Sequence, residues 1–308
     1  MSGLPHRLRE ACASVAERAE HVRVHRDRVP AYAASLPLDV PPAALDPAVH
    51  LTEGDREQLA AFWLTLDAIN FGSGWFPTLR KRGGRSGYYT IAGAVRRRFD
   101  GRGAWSADEL VEIDAAEVAQ TLGQAADHEL MALFARSLGD LGRRVVGDHD
   151  GFFESVVDAG GDSAEGLVEL LAGWDCFADS SAYDGLTVPF LKRAQIAAAD
   201  LARSGVARIG DLERLTMFAD NLVPHVLRLD GLLSFEAELV GRIEREELIE
   251  HGSPREVEIR ACALHAVELI VATRPGTRAI DVDQLLWLRG QEPRYKAVPR
   301  HRSRCTAY

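Results

Sequence analysis

Apolar residues recur three and four positions apart along most of this chain, and that spacing is the strongest constraint on what it can fold into. LTEGDREQLAAFWLTLDAIN (51–70), SADELVEI, DAAEVAQTLG, DHELMALFARSLGDLGRRVVG and AEGLVELLAGW each join a capping residue to a helical stripe. The pattern continues through VPFLKRAQIAAADLARSG, DLERLTMFA, SFEAELVGRIEREELIEHG, SPREVEIRACALHAVELIVATRP and DVDQLLWLRG. Gly follows many of these segments, as it does at helix C-termini. Residues 5–26 read as one amphipathic helix, and Thr52 with Asp55 three residues on reads as a capping box. Alternating β-branched runs are nearly absent; only HVRVH and GYYTI (87–91) have the pattern of short strands. The expected fold is mostly α, a single helical domain with room for one short β-hairpin. PLDVPPAALDP (37–47) marks off an N-terminal helix and Pro-rich connector (1–48), packed on the core, from the helical remainder (49–308).

Composition narrows the partners. A formal net charge of −10 over 308 residues disfavours extended contact with a polyanion, but a local basic pocket can still take a small phosphorylated ligand. Cys12, Cys176, Cys262 and Cys305 form no CxxC, which predicts a reduced, cytoplasmic protein without a zinc site. The charged first 25 residues lack the apolar stretch of a signal peptide, and no apolar run approaches membrane-spanning length, so no membrane partner is expected.

The residues that stand out are few. Asp220 lies in LTMFADNLVPHVLRLDG (215–231), at a break between two helical patterns, with Pro224 in the first turn of the second. It is read both as the N-cap of that second helix and as a carboxylate aimed into a cleft, able to stabilise an oxocarbenium ion or activate water. Lys192, in VPFLKRAQIAAADL, is one of only three lysines among 36 basic residues, the others being Lys81 and Lys296. It reads either as a snorkelling surface residue or as a compact ammonium required at that place. In FADSSAYDG (177–185), Phe177 and Asp179 fit either a flat base with its N–H edge or an ordinary turn with a packed aromatic. DAINFGSGWF (67–76) brings Asn70, Phe71 and Trp75 into a glycine-rich turn, with His50 just before the helix that precedes it. The segment 294–304 carries Arg294, Lys296, Arg300, His301, Arg302 and Arg304, a phosphate-binding strip or a solvated tail, and Tyr308 points to a docked end. His265 and Glu268 read as a buried pair or as support for a site elsewhere. No P-loop, strand-linked GxGxxG, GxSxG or carboxylate-rich metal loop is present.

Two resemblances carry these residues further. LTVPFLKRAQIAAADL followed by FADNLVPHVL resembles the lysine-then-aspartate layout of helix-hairpin-helix DNA glycosylases. From about residue 50 onward, LDAINFGSGWF (66–76), FADSSAYDGLTVPFLKRAQ (177–195), LTMFADNLVP (215–224), IRACALHAVELI (259–270), DQLLWLRG (283–290) and HRSRCTAY (301–308) together resemble the queuosine salvage proteins. FGSGWF and Asn221 depart from the pattern, where a more aromatic segment and a tyrosine are usual. The resemblance implies an all-α fold related to DNA glycosylases and hydrolysis of the N-glycosidic bond of queuosine 5′-monophosphate, releasing queuine. It implies no metal or organic cofactor and no stable nucleic-acid partner. On this reading Asp220 is catalytic. Phe177 and Trp75 would sandwich the deazapurine, and Asp179, with Asn70 or Asp67, would read its N–H edge or the substrate's secondary ammonium. Lys192 or the C-terminal Arg strip would hold the phosphate. His50, Phe71, Ser180, Asn221, His225, His301, Arg302 and Arg304 complete the expected binding set. A base-excision glycosylase and a non-catalytic nucleotide-binding helical protein are the competing readings.

Overall fold

The computed structural model describes residues 3–39 and 44–308, and most of them are helical. Two helices of twenty residues, Glu129–Asp148 and Pro254–Thr273, are the longest among the described residues. Each centres one of two apolar clusters. The first gathers Glu129–Asp148, Arg56–Ala68 and Lys192–Arg203 around Trp63, Phe134 and Phe177. The second gathers Pro254–Thr273, Leu4–Arg18 and Leu222–Leu229 around Leu8, Phe190 and Leu264. Part of the 37–47 connector, residues 40–43, lies outside the described residues. No described helix is long and apolar enough to cross a membrane.

Strands are short and serve as ties. Val22–Val24 pairs antiparallel with Leu233–Phe235, and Ser181–Tyr183 with Leu186–Val188. The second pair turns through Asp184 and Gly185 at φ 44° and 76°, the left-handed pair that matches strand twist in a two-residue hairpin. HVRVH is thus a strand, and the expected 5–26 helix stops at Arg18. It stops because the amides of His21 and Val22 donate to the buried Glu258 carboxylate at 2.7 and 2.9 Å.

Three other local expectations fail for physical reasons. GYYTI opens the helix Gly87–Arg102. Tyr88 and Tyr89 both pack on Trp287, with ring centroids 5.7 and 5.9 Å away, which neighbours on a strand cannot do. DLERLTMFA keeps only a 3₁₀ turn at Leu212–Arg214. Beyond it the amides of Thr216 and Phe218 go to side chains, Gln195 Oε1 at 2.8 Å and Asp283 Oδ1 at 3.0 Å, and not to a helical ladder. The cap at the start of Arg56–Ala68 is Asp55, which accepts from the Gln58 amide at 2.8 Å; Thr52 lies outside it.

One buried cation joins the pieces. Arg260, in the middle of Pro254–Thr273, is fully buried. It forks onto both oxygens of Asp179, at 3.0 and 2.6 Å, and its Nε donates to the Ala219 carbonyl at 2.9 Å. Its guanidinium stacks on Phe190 and Tyr308, at 3.9 and 4.6 Å from their ring centres. Asp179 Oδ2 also accepts the Lys192 amide at 3.1 Å, and the Asp179 carbonyl accepts the amide of Leu191 at 3.1 Å. That second bond holds Leu191 at φ 51°, a conformation disfavoured for leucine, and so fixes where the Lys192–Arg203 helix begins. Removing one partner of a buried ion pair strands the other. Asp179→Asn is therefore expected to destabilise the fold by about 3–5 kcal/mol, read by denaturant unfolding. A loss under about 1 kcal/mol would show that Arg260 finds its support elsewhere.

The C-terminal segment is docked. The Tyr308 carbonyl accepts the Gly72 amide at 2.9 Å, and Cys305, Ala307 and Tyr308 are buried together. A Cβ on Gly74 would lie 2.3 Å from the Ser303 carbonyl oxygen, so only glycine admits this approach. Gly74→Ala is expected to cost about 1–3 kcal/mol, measured as a Tm lowered by several degrees. An unchanged Tm would mean that segment 303–308 does not sit against the 72–75 turn.

Candidate active site

Side chains packed on both clusters enclose a cavity of about 280 Å³, near the lower end for small-molecule sites. One wall is a single face of the Lys192–Arg203 helix, where Lys192, Ile196, Ala199, Asp200 and Arg203 follow each other at helical spacing. A second wall comes from the Ala279–Arg289 helix, with Ile280, Asp283 and Trp287. Tyr88, Tyr89 and Phe76 form an aromatic side, and Phe218, Asp220 and Asn221 another.

Asp220 holds the position that both of its readings require. Its Oδ1 accepts the amides of Leu222 and Val223, at 2.8 and 3.2 Å, so it caps the Leu222–Leu229 helix from one residue before the formal cap, Asn221. It also lines the cavity. Lys192 lines the same cavity, buried, with Nζ bonded to the Asn70 carbonyl (2.7 Å) and Asn70 Oδ1 (3.2 Å). Burial pulls the Lys192 pKa down to about 8, and Asp220 is the strongest of the charges that oppose that fall.

The other carboxyls are pushed the opposite way. Burial, and then the charge of Asp220, raise Asp283 well above the ordinary carboxylate range. Burial raises Asp200 to about 6, and burial with the Asp200 charge raises Asp67 well above its usual range. The cavity thus holds Asp220, anchored on two backbone amides, beside acids that burial biases toward the neutral form. Among the described residues, no cluster of three or more His, Cys, Asp or Glu is arranged to hold a metal ion.

Of the residues singled out from the sequence, His50, Asn70, Phe71, Lys192, Asp220 and Asn221 line the cavity. Asp67 stands just behind the wall, where its Oδ1 accepts from Asn70 Nδ2 at 3.4 Å. The remainder are placed elsewhere. Phe177 is wholly buried beneath Arg193, whose guanidinium also stacks on Phe71, so it offers no face to a ligand. Trp75 donates Nε1–H to Glu129 (2.8 Å) and carries Arg304 over its ring, so the expected Phe177–Trp75 sandwich does not form. Asp179 is consumed by Arg260, and Ser180 is exposed before the hairpin. His225 bonds the Tyr295 carbonyl at 3.0 Å. His301 is buried behind Asn221, which donates to its carbonyl at 3.2 Å. Arg302 and Arg304 pair with Glu246 and Glu129 at 3.5 and 3.6 Å. From the basic strip it is Lys296 and Arg300 that reach the cavity, so two of the three lysines line it. His265 meets Arg26 and Glu268 meets Arg9, not each other.

Asp200, Asp283, Tyr88, Tyr89, Phe218 and Trp287 were missed as site residues. The signal for Asp200 was its position two helical turns beyond Lys192 on one face. For Asp283 and Trp287 it was their four-residue spacing on one helix. The tyrosines were hidden by the strand-like look of GYYTI.

The family model for queuosine salvage proteins matches residues 49–308. A Sphaerobacter thermophilus protein named queuosine 5′-phosphate N-glycosylase/hydrolase is 34% identical over 308 residues, covering 96% of this chain and 95% of its own length. Proteins of the same name from Mus musculus and Bos taurus are 30% and 29% identical, over 72% and 85% of each chain respectively. The chain belongs to the queuosine salvage protein family.

Proposed function

We propose that this cavity hydrolyses the N-glycosidic bond of queuosine 5′-phosphate, giving queuine and ribose 5-phosphate, with Asp220 and Asp283 as the working pair. The observation that carries the reading is the contrast between these two carboxyls in one cavity. Asp220 is held on two backbone amides beside Lys192, and Asp283 is driven toward its neutral form by burial and by Asp220 itself. A carboxyl biased toward its neutral form beside a carboxyl anchored on backbone amides suits an acid and a base.

The chemistry follows from the leaving group. A 7-deazapurine has carbon where a purine has N7, so it cannot be protonated there as it departs. As the C1′–N9 bond breaks, its electron pair moves into the base, and Asp283 supplies the proton to a remaining polar atom of the ring system. The ribosyl oxocarbenium ion is met by the Asp220 carboxylate, which stabilises it and takes a proton from the attacking water. Lys192 sets a positive charge beside Asp220. Phe218, Trp287 and the two tyrosines supply the flat apolar walls for the base, in place of Phe177 and Trp75. Lys296 and Arg300 are the cations placed to take the 5′-phosphate, with Asn70, His50 and Asn221 fixing polar edges.

The test is chromatography for free queuine after incubation with queuosine 5′-phosphate. Asp220→Asn is expected to lower release by about 100- to 1,000-fold while staying folded by circular dichroism. Equal release by mutant and wild type would move the chemistry to another carboxyl. The pH profile gives an independent check. Lys192 loses its proton as pH rises through about 8, so kcat/KM is expected to fall above that pH as the support for Asp220 is lost. A profile still level well above it would remove the Lys192 charge from the reaction.

A further inference from the structure

We infer that Tyr88 and Asp200 form a subsite that reads a vicinal diol, an inference that rests on the hydrolase reading above. The direction of one hydrogen-bond chain leads to it. The Asp46 backbone amide donates to His50 Nδ1 at 3.1 Å. That nitrogen is therefore the acceptor of the ring, and burial holds the His50 pKa down to about 4, so at neutral pH the single ring proton is on Nε2. His50 Nε2 lies 2.9 Å from Tyr88 Oη and donates to it.

The Tyr88 hydroxyl is thus already an acceptor, and its own proton must point elsewhere. Among the described residues His50 is its one hydrogen-bond partner, and Tyr88 lines the cavity. Burial and the neighbouring Asp200 and Asp67 carboxyls push the phenol well above its ordinary range, so it stays a donor at any working pH. Asp200 lines the same cavity from the Lys192–Arg203 helix, with Oδ1 3.5 Å from Arg203. Its ionised form only accepts. One cavity thus offers the Tyr88 hydroxyl as a donor and, above about pH 6, the Asp200 carboxylate as an acceptor whose charge the phenol feels, with the rings of Tyr89 and Trp287 packed on Tyr88. Two adjacent hydroxyls satisfy both at once, one accepting from Tyr88 and the other donating to Asp200. A lone carbonyl or an ammonium satisfies one and strands the other.

The substrate has two such diols, on the ribose (2′,3′) and on the cyclopentene of the base side chain. Three substrates separate them: queuosine 5′-phosphate, its 2′-deoxy counterpart, and the 5′-phosphate nucleoside of 7-aminomethyl-7-deazaguanine, which lacks the cyclopentenediol. Tyr88→Phe keeps the ring and removes the hydroxyl. It is expected to lower kcat/KM about tenfold on the full substrate and by a clearly smaller factor on the one lacking the diol that is read. Asp200→Asn should follow the same substrate pattern. An equal loss on all three substrates, or on none, overturns the subsite. If the wild type releases no queuine, the hydrolase reading falls, and calorimetry still decides this one. Tyr88→Phe must then weaken binding of either queuine or ribose 5-phosphate about tenfold, and unchanged affinity for both overturns it.

Discussion

The Arg260 guanidinium has no exposure to solvent, and everything that makes the site depends on how its charge is met. A buried cation is tolerated only where its donors are matched, and here two oxygens of Asp179, one backbone carbonyl and two aromatic faces do so. Each partner belongs to a segment that the site needs. Asp179 fixes the first turn of the helix that opens with Lys192. The Ala219 carbonyl precedes Asp220. Tyr308 is itself a wall of the cavity. The geometry of the carboxylate and the ammonium is therefore set from behind, by an ion pair that never contacts the cavity contents.

Electrostatics then divides the labour among acids of one chemical type. Asp220 stands at a helix start, on two amides. Asp283 and Asp200 stand within helices, where burial disfavours their charge. The single buried lysine on the wall meets several of these acids, and its own proton is held against the cost of burial mainly by Asp220. Replacing this lysine with arginine would place a broad fork where a compact head reaches both oxygens of Asn70. That accounts for a lysine here in a chain that otherwise uses arginine almost throughout.

The helical class was legible because its period is local, and the Asp220 and Lys192 blocks were legible because their residue types are unusual where they stand. Asp220 shows both readings at once, since a cap and a cavity carboxylate require the same position. What the sequence hid was depth. Phe177, Asp179 and Trp75 look like ligands for a base, but whether an aromatic or an acid faces a cavity or the core depends on partners far along the chain, Arg193, Arg260 and Glu129 among them. The basic strip hid its division in the same way. Glu246 and Glu129 draw off Arg302 and Arg304, and only the fold leaves Lys296 and Arg300 on the cavity side. Tyr88 and Tyr89 were obscured by β-propensity, which the preceding turn and the contact with Trp287 override.

The docked segment 296–308 has a consequence for the order of events during synthesis. It supplies Lys296, Arg300 and Tyr308 to the cavity, and its backbone lies against Gly72 and Gly74. The turn at 72–75 leaves the ribosome long before this segment does, so the helices around it can pack while the cavity still lacks a wall. Completion of the cavity is therefore a later step than packing of the helices around the turn, gated by emergence of residues 296–308 and not by collapse of the helical core.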